Sequence, residues 1–259
     1  MQIPQLRQDA FTDSPFSVRV LRETDSTNDA LKRLPDAPHG TVLVTGRQTA
    51  GRGRQGRTFA SPAGGVYLSV LLRPAVEPSE LLHLTPMAAV AVRRAIFDTC
   101  GVSTEIKWPN DLVYGGRKLV GILTEVVRRD GADCVIVGAG VNCNTDPADF
   151  PPEVRAIATS LREITGKTVD PNELARNLIK RFAEMDAALL SGKSAWLAEF
   201  AAACVTVGKR VQLVSGAERK EGFAEGIDED GALLVRFDTG ETAAVSTGEV
   251  SVRGMYGYI

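Results

Sequence analysis

From Glu105 to Asn142 the chain alternates between apolar, β-branched runs and turn residues: EIKWPNDLVY, then Gly115-Gly116, then RKLVGILTEVV, then Arg129-Asp130-Gly131, then DCVIVGAGVN. Turns this short join neighbouring antiparallel strands, so the segment is expected to be a β-meander. FSVRVLRE alternates as a strand, and TVLVTG and VYLSVLLRP read the same way. Asp25-Ser26-Thr27-Asn28 offers N-cap side chains to a short helix through Leu31 and Leu34. A second helix is expected between about Thr85 and Cys100, with Pro86 in its first turn and Gly101 at its end. A third starts at Asp170-Pro171-Asn172-Glu173 and carries Leu174, Leu178, Ile179, Phe182, Met185 and Leu189 on one face before Gly192. A further helix holds Trp196 and Phe200. Beyond Val205 the texture changes to short strands with frequent glycine turns: KRVQLVSG, GFAEGID, ALLVRFD, TAAVSTG and EVSVRG. A larger domain of strands and helices over 1–204 and a small β-barrel over 205–259 are therefore expected.

At 259 residues the chain can bury a full core. MQIPQLRQDAF has no apolar core of a signal peptide, and MAAVAVRRAIF is interrupted by Arg93 and Arg94, so a cytoplasmic protein without a membrane span is expected. Cys100, Cys134, Cys143 and Cys204 are widely spaced and have only His39 and His83 to help them, which makes free thiols a better reading than a zinc site. The net charge of -2 argues against wholesale nucleic-acid binding. Its distribution is uneven: Arg47, Arg52, Arg54 and Arg57 give residues 47–57 a charge of +4, which leaves -6 for the rest. A cationic loop on an acidic body reads as a local anion site.

Within that loop Gly51-Arg52-Gly53-Arg54-Gln55-Gly56 matches the dinucleotide fingerprint G-x-G-x-x-G. The fingerprint works only where a helix begins in the loop and an acidic residue follows about twenty positions on. Here Ser61-Pro62-Ala63-Gly64-Gly65 forbids the helix, and Leu71, Leu72 and Arg73 stand at the ribose-reading distance. No G-K-[ST] follows, so a Walker loop is excluded as well. What remains is a glycine loop with alternate arginines, suited to closing over phosphate groups, to gripping RNA, or to lying solvated on the surface.

Taken together with DSTN at 25–28, QTAGRGRQGR at 48–57, F-x-SPxGG at 59–65, KWPNDL at 107–112, GRKLVGIL at 116–123, GAGVN at 138–142 and GEVSVR at 248–253, the chain resembles the biotin protein ligases over nearly its whole length. That resemblance implies an α+β fold, a catalytic module with a mixed sheet and flanking helices related to class II aminoacyl-tRNA synthetases and lipoate ligases, followed by a barrel like that of Src-homology-3 domains. It implies a biotin/ATP-binding domain over 1–204, and a reaction in which biotin and MgATP give biotinyl-5'-AMP before a lysine of a biotin carboxyl carrier protein, that of acetyl-CoA carboxylase or a related carboxylase, takes the biotin. The substrates and cofactor implied are biotin, ATP and Mg2+. Regulatory members carry an additional N-terminal DNA-binding winged helix, whereas DSTN here begins at residue 25, so a ligase without DNA binding is expected, with a homodimer as a family-based expectation. Lipoate ligation and non-enzymatic polyanion binding are the competing readings.

By the same resemblance Ser26, Thr27, Asn28, Gln48, Gly51, Arg52, Gly53, Arg54, Trp108 and Lys118 contact biotin, and Arg52, Arg54, Arg57, Asn110, Lys118, Asn142 and Arg253 contact ATP or the adenylate. Lys118, Arg54 and Asp111 are the expected catalytic residues, with Asp111 also the expected magnesium ligand. Each has a plainer alternative. Ser26, Thr27 and Asn28 could only cap a helix, Trp108 could only fill the core, and Lys118 could be a solvated strand end. The tail Met255–Ile259 matches nothing in the family pattern.

Overall fold

The computed structural model describes residues 4–129, 131–215, 218–246 and 251–254. Asp130, Gly248–Val250 of the GEVSVR motif and the tail 255–259 lie outside them. β1 (Ser17–Leu21) and β2 (Thr41–Thr45) pair in parallel, joined across α1 (Thr27–Lys32), and β3 (Val66–Leu72) runs antiparallel to β2. After α2 (Leu84–Cys100) come β4 (Glu105–Lys107), β5 (Asp111–Tyr114), β6 (Arg117–Arg129) and β7 (Ala132–Val141). The seven strands lie in the order β1-β2-β3-β7-β6-β5-β4, which puts β3 and β7 at the centre.

Period-two alternation sorts the strand residues between two faces. Leu43, Leu71 and Ile136 pack with Leu31 of α1 on one side. Val42, Val44, Val70 and Val137 face the main core on the other, with Met87 and Ala88 of α2. Two short helices, α3 (Pro152–Arg155) and α4 (Leu161–Thr165), precede α5 (Pro171–Ser191) and α6 (Lys193–Ala203). Asp170 caps α5 by accepting from the Asn172 amide at 2.9 Å, and Leu178, Phe182 and Met185 bury its apolar face. The C-terminal part holds β8 (Arg210–Ser215), β9 (Glu218–Ile227), β10 (Leu233–Phe237), β11 (Thr242–Val245) and β12 (Ser251–Gly254) in one antiparallel sheet of order β11-β10-β9-β8-β12.

EIKWPNDLVY departs from the expected meander arm, because it is itself a hairpin in which Lys107 pairs with Asp111. Proline has no backbone N–H to give to a strand ladder, so the run folds back at Pro109, where the Trp108–Pro109 peptide is cis. The first helix stops at Lys32, short of Leu34.

Trp108 joins the two sheets. Its backbone N–H donates to Thr206 Oγ1 at 3.0 Å and its indole N–H to the Gly231 carbonyl at 3.0 Å, both buried. Trp108→Phe keeps most of the apolar contact and removes the indole donor, which leaves a buried carbonyl unpaired at a cost of about 1–3 kcal/mol. The urea midpoint is expected to fall accordingly, and an unchanged midpoint would show that the seam does not depend on this bond.

Candidate active site

The site begins with missing side chains. Gly121 of β6 and Gly140 of β7 stand directly opposite each other at the middle of the sheet. A Cβ on Gly121 would lie 2.7 Å from the Phe59 ring, and one on Gly140 2.5 Å from it, so the ring rests on bare backbone. At Gly138 a Cβ would lie 2.2 Å from Asn28 Oδ1. Three glycines thus open a floor onto which α1 and the arginine loop descend.

The start of α1 supplies the polar wall. Ser26 is the N-cap, its hydroxyl accepting from the Asp29 amide, and Ser26, Thr27 and Asn28 are 2%, 4% and 4% exposed. Asn28 Oδ1 carries no proton, so Ser69 donates to it at 2.5 Å; Thr27 Oγ1 must then donate to Ser69 Oγ at 2.6 Å. Gln48 Oε1 accepts from the Thr27 amide at 2.8 Å, while Gln48 Nε2 donates to Ser61 Oγ at 2.9 Å. Asn28 Nδ2 donates to Glu125 Oε2 at 2.8 Å. Ser26 alone is the cap, while Ser26, Thr27 and Asn28 together with Gln48 line a small cavity of about 30 Å³ above the glycine floor.

A second, larger cleft of about 440 Å³ shares Arg52, Phe59 and Gly121 with the first. Its walls carry Gly53, Arg54, Arg57, Trp108, Asn110, Asp111, Lys118 and Asn142. The arginine loop is folded as a tight hairpin: Gly53 N–H donates to the Arg57 carbonyl at 2.7 Å and Phe59 N–H to the Gly51 carbonyl at 2.9 Å. Gly51 has no room for a side chain, since its Cβ would lie 2.3 Å from Ser61 Oγ. Arg52 Nε pairs with Asp29 Oδ2, and Arg54 reaches Asn110 Oδ1 at 3.4 Å. Burial pushes the Arg54 guanidinium below its ordinary pKa, opposed by the nearby Asp111 charge and reinforced by Arg57.

Asn110 is fixed by β6, donating from Nδ2 to the Ile122 carbonyl at 2.6 Å. Lys118 Nζ stands 2.7 Å from Asp111 Oδ1 and 5.4 Å from the Phe59 ring centre. Asp111 is the one carboxylate on the cleft wall among the described residues. Asn142 is 3% exposed and donates to the Thr159 carbonyl at 3.0 Å, whereas its Oδ1 has no hydrogen-bond partner among the described residues. A buried acceptor on a cleft wall is ready for a ligand's donor.

Trp108 borders the larger cleft, away from the Ser26–Gln48 pocket; it is 1% exposed and its indole N–H is spent on Gly231, so its visible role is the core one. Arg253 lies on β12, with its backbone opposite Gln212. Ser69, Glu125 and Phe59 were not foreseen as site residues. The signal that could have found them was glycine inside strands at 121, 138 and 140, which marks a close approach by another group.

Fold and site define a class of protein: an α+β chain whose central sheet carries a small polar pocket beside a larger cation-lined cleft. Comparison narrows it. Residues 20–142 match the Biotin/lipoate A/B protein ligase family, and residues 206–253 the Biotin protein ligase C terminal domain. The bifunctional ligase/repressor BirA of Bacillus subtilis is 38% identical over 85% of this chain and 69% of its own length. The biotin--[acetyl-CoA-carboxylase] ligase of Paracoccus denitrificans is 35% identical over 85% of this chain and 95% of its own. Among solved structures, biotin protein ligase from Aquifex aeolicus in complex with biotin and ATP aligns with a TM-score of 0.80 at 33% identity, covering 92% of this chain and 99% of that one. The chain belongs to the biotin protein ligase family.

Gly138→Ala is expected to drive Asn28 off both Ser69 and Glu125, lowering stability by about 1–3 kcal/mol. Gly226→Ala, whose Cβ would make only ordinary contact at 3.8 Å, is the matched control. Equal thermal melting of the two variants would contradict the close approach at Gly138.

Proposed function

We propose that this chain activates biotin with MgATP to biotinyl-5'-AMP and transfers biotin to a lysine of a biotin carboxyl carrier protein. The observation that carries the proposal is the common wall, Arg52, Phe59 and Gly121, between the polar pocket and the cation-lined cleft. A ligand with a hydrogen-bonding ring at one end and a carboxylate at the other spans that wall. Its ureido ring meets the donors and acceptors of Ser26, Thr27, Asn28 and Gln48, and its carboxylate faces Lys118 and the arginine loop. Entry requires the Phe59 ring to leave the glycine floor, because the present cavity of about 30 Å³ leaves little space.

In the first step a carboxylate oxygen of biotin attacks the α-phosphorus of ATP; a new P–O bond forms as the bond to the β-phosphate oxygen breaks, and pyrophosphate leaves with the electron pair. Lys118 then offsets charge growing on the phosphoryl oxygens. In the second step an uncharged carrier lysine attacks the acyl carbon, the acyl C–O bond to the phosphate breaks as AMP departs with the electron pair, and the amine gives up its proton to solvent. Asp111, beside Asn110, suits a magnesium ion, which is held by one or two carboxylates with substrate phosphates completing its shell. Bound there, the ion would neutralise phosphate charge, with Asp111 holding it and Lys118 left to pair with the phosphate. Asn142 Oδ1 serves a donor on the adenylate side, and Arg57 and Arg253 the phosphates.

The domain division at 204/205 and a carrier from acetyl-CoA carboxylase or a related carboxylase belong to the same proposal, as do a cytoplasmic location, a homodimer and no DNA ligand. The two matched family segments, 20–142 and 206–253, support that division. No helix of the described residues is long and apolar enough to cross a membrane.

The test is pyrophosphate release with ATP and either biotin or lipoate. Release with biotin alone supports the proposal; release with lipoate alone, or with neither, contradicts it. Lys118→Met is expected to slow that release by roughly a hundred- to a thousandfold with the fold intact. Near-normal release would remove Lys118 from the chemistry.

Arg54 separates making the intermediate from keeping it. The adenylate is a mixed anhydride that acylates free amines, and loss of about 2 kcal/mol of charge-assisted hydrogen bonding raises its escape about thirtyfold. Arg54→Gly is therefore expected to form the adenylate but leak it, biotinylating serum albumin added to the reaction. Albumin labelling at the wild-type level, with pyrophosphate release matched, would exclude a retaining role.

A further inference from the structure

We propose that Asp29, which no family motif or reading above assigns to the reaction, is a positioning residue that aims the Arg52 guanidinium at the ligand; the proposal rests on the ligase reading of the site. Asp29 follows Asn28 in the first turn of α1, and its side chain is 16% exposed. One carboxylate oxygen takes Arg52 Nε and the other accepts from Lys32 Nζ at 3.2 Å. Lys32 in turn lies 2.7 Å from Glu125 Oε1, and Glu125 Oε2 holds Asn28 Nδ2 at 2.8 Å. Two acids and two bases thus alternate in a neutral string from β6 through α1 to the stem of the arginine loop.

Arg52 needs such a guide. It is 57% exposed, so packing does not fix its direction, and it borders three openings. These are the polar pocket, the larger cleft, and a third groove of about 430 Å³ on the other side of the loop, floored by Leu81, Leu123 and Val126. A guanidinium tied at Nε keeps its two terminal nitrogens for a second, planar partner. Asp29 therefore chooses one direction out of three and leaves the fork open for a carboxylate or phosphoryl group. The same residue has an ordinary structural role, since an acid in the first turn of a helix, paired with a lysine three positions on, is stabilising on its own. The two roles differ in what depends on Arg52.

The test uses the full-length chain as wild type, Asp29→Asn, Asp29→Glu, Arg52→Gln and the double variant Asp29→Asn/Arg52→Gln. In biotin-dependent pyrophosphate release, Asp29→Asn is expected to raise KM for biotin about tenfold with kcat little changed, the size of one charge-assisted hydrogen bond. Asp29→Glu recovers part of the loss, and Asp29→Asn adds nothing once Arg52 is gone. Independent losses that multiply in the double variant, or a wild-type KM in Asp29→Asn, would overturn the proposal. A second readout needs no ligand: trypsin cleavage after Arg52, identified by mass spectrometry, should be about tenfold faster in Asp29→Asn, because the freed side chain can enter the protease pocket. Equal cleavage also overturns it. If wild type releases no pyrophosphate with biotin while the cleavage difference persists, the ligase reading fails and the pairing survives.

Discussion

Three bare positions in the sheet, Gly121, Gly138 and Gly140, decide what the rest of the site can be. Side chains on β6 and β7 would hold α1 and the arginine loop away from the strands; without them Asn28 and Phe59 reach backbone level. Seven-stranded order then matters, because β7 is a central strand between β3 and β6, and groups from both neighbours converge over it. Ser69 comes from β3, Glu125 from β6, and Thr27 and Asn28 from the helix above. A buried polar cluster of this kind is costly if any member lacks a partner, and here Thr27, Asn28, Gln48 and Ser69 all have one.

Charge in the site follows one pattern. Arg52 rests against Asp29, Lys118 against Asp111, and Arg54 reaches the Asn110 amide. On the proposed reading Lys118 exchanges Asp111 for the ligand's anion, whereas Arg52 keeps Asp29 at Nε and offers its two terminal nitrogens. Exchange at Lys118 makes the net gain smaller than the bare attraction between ions, since its resting pair with Asp111 has to be given up. Its benefit is readiness, because cations already held near their working positions lose little freedom when the anion arrives. Arg54 shows the tension most clearly, as burial disfavours its charge while Asp111 supports it.

Much of the fold was legible because strand and helix periodicities are strong where one face is buried. The cap at Asp170, the glycine stop at Gly101 and the five C-terminal strands all stand where their residue patterns put them. EIKWPNDLVY was less legible, since its apolar residues continue through Pro109 and conceal the reversal. Sheet order was not legible either: the parallel β1–β2 pair and the β3–β7 neighbours depend on packing between residues distant in sequence. At the site, motif residues were readable one by one, but their supports were not. Ser69 and Glu125 sit in strands whose apolar neighbours mask them, and the bond from the Trp108 indole N–H to Gly231 joins residues far apart in sequence.

On the proposed reading the hairpin 51–59 closes over an anion made from biotin and ATP. Amide hydrogen exchange measures this directly, because Gly53 and Phe59 N–H groups form the hairpin's own hydrogen bonds. With biotin and ATP both saturating, exchange across 51–59 is predicted to slow strongly relative to the free chain, and lipoate with ATP is predicted to leave it unchanged. Equal exchange with and without biotin and ATP would contradict the claim.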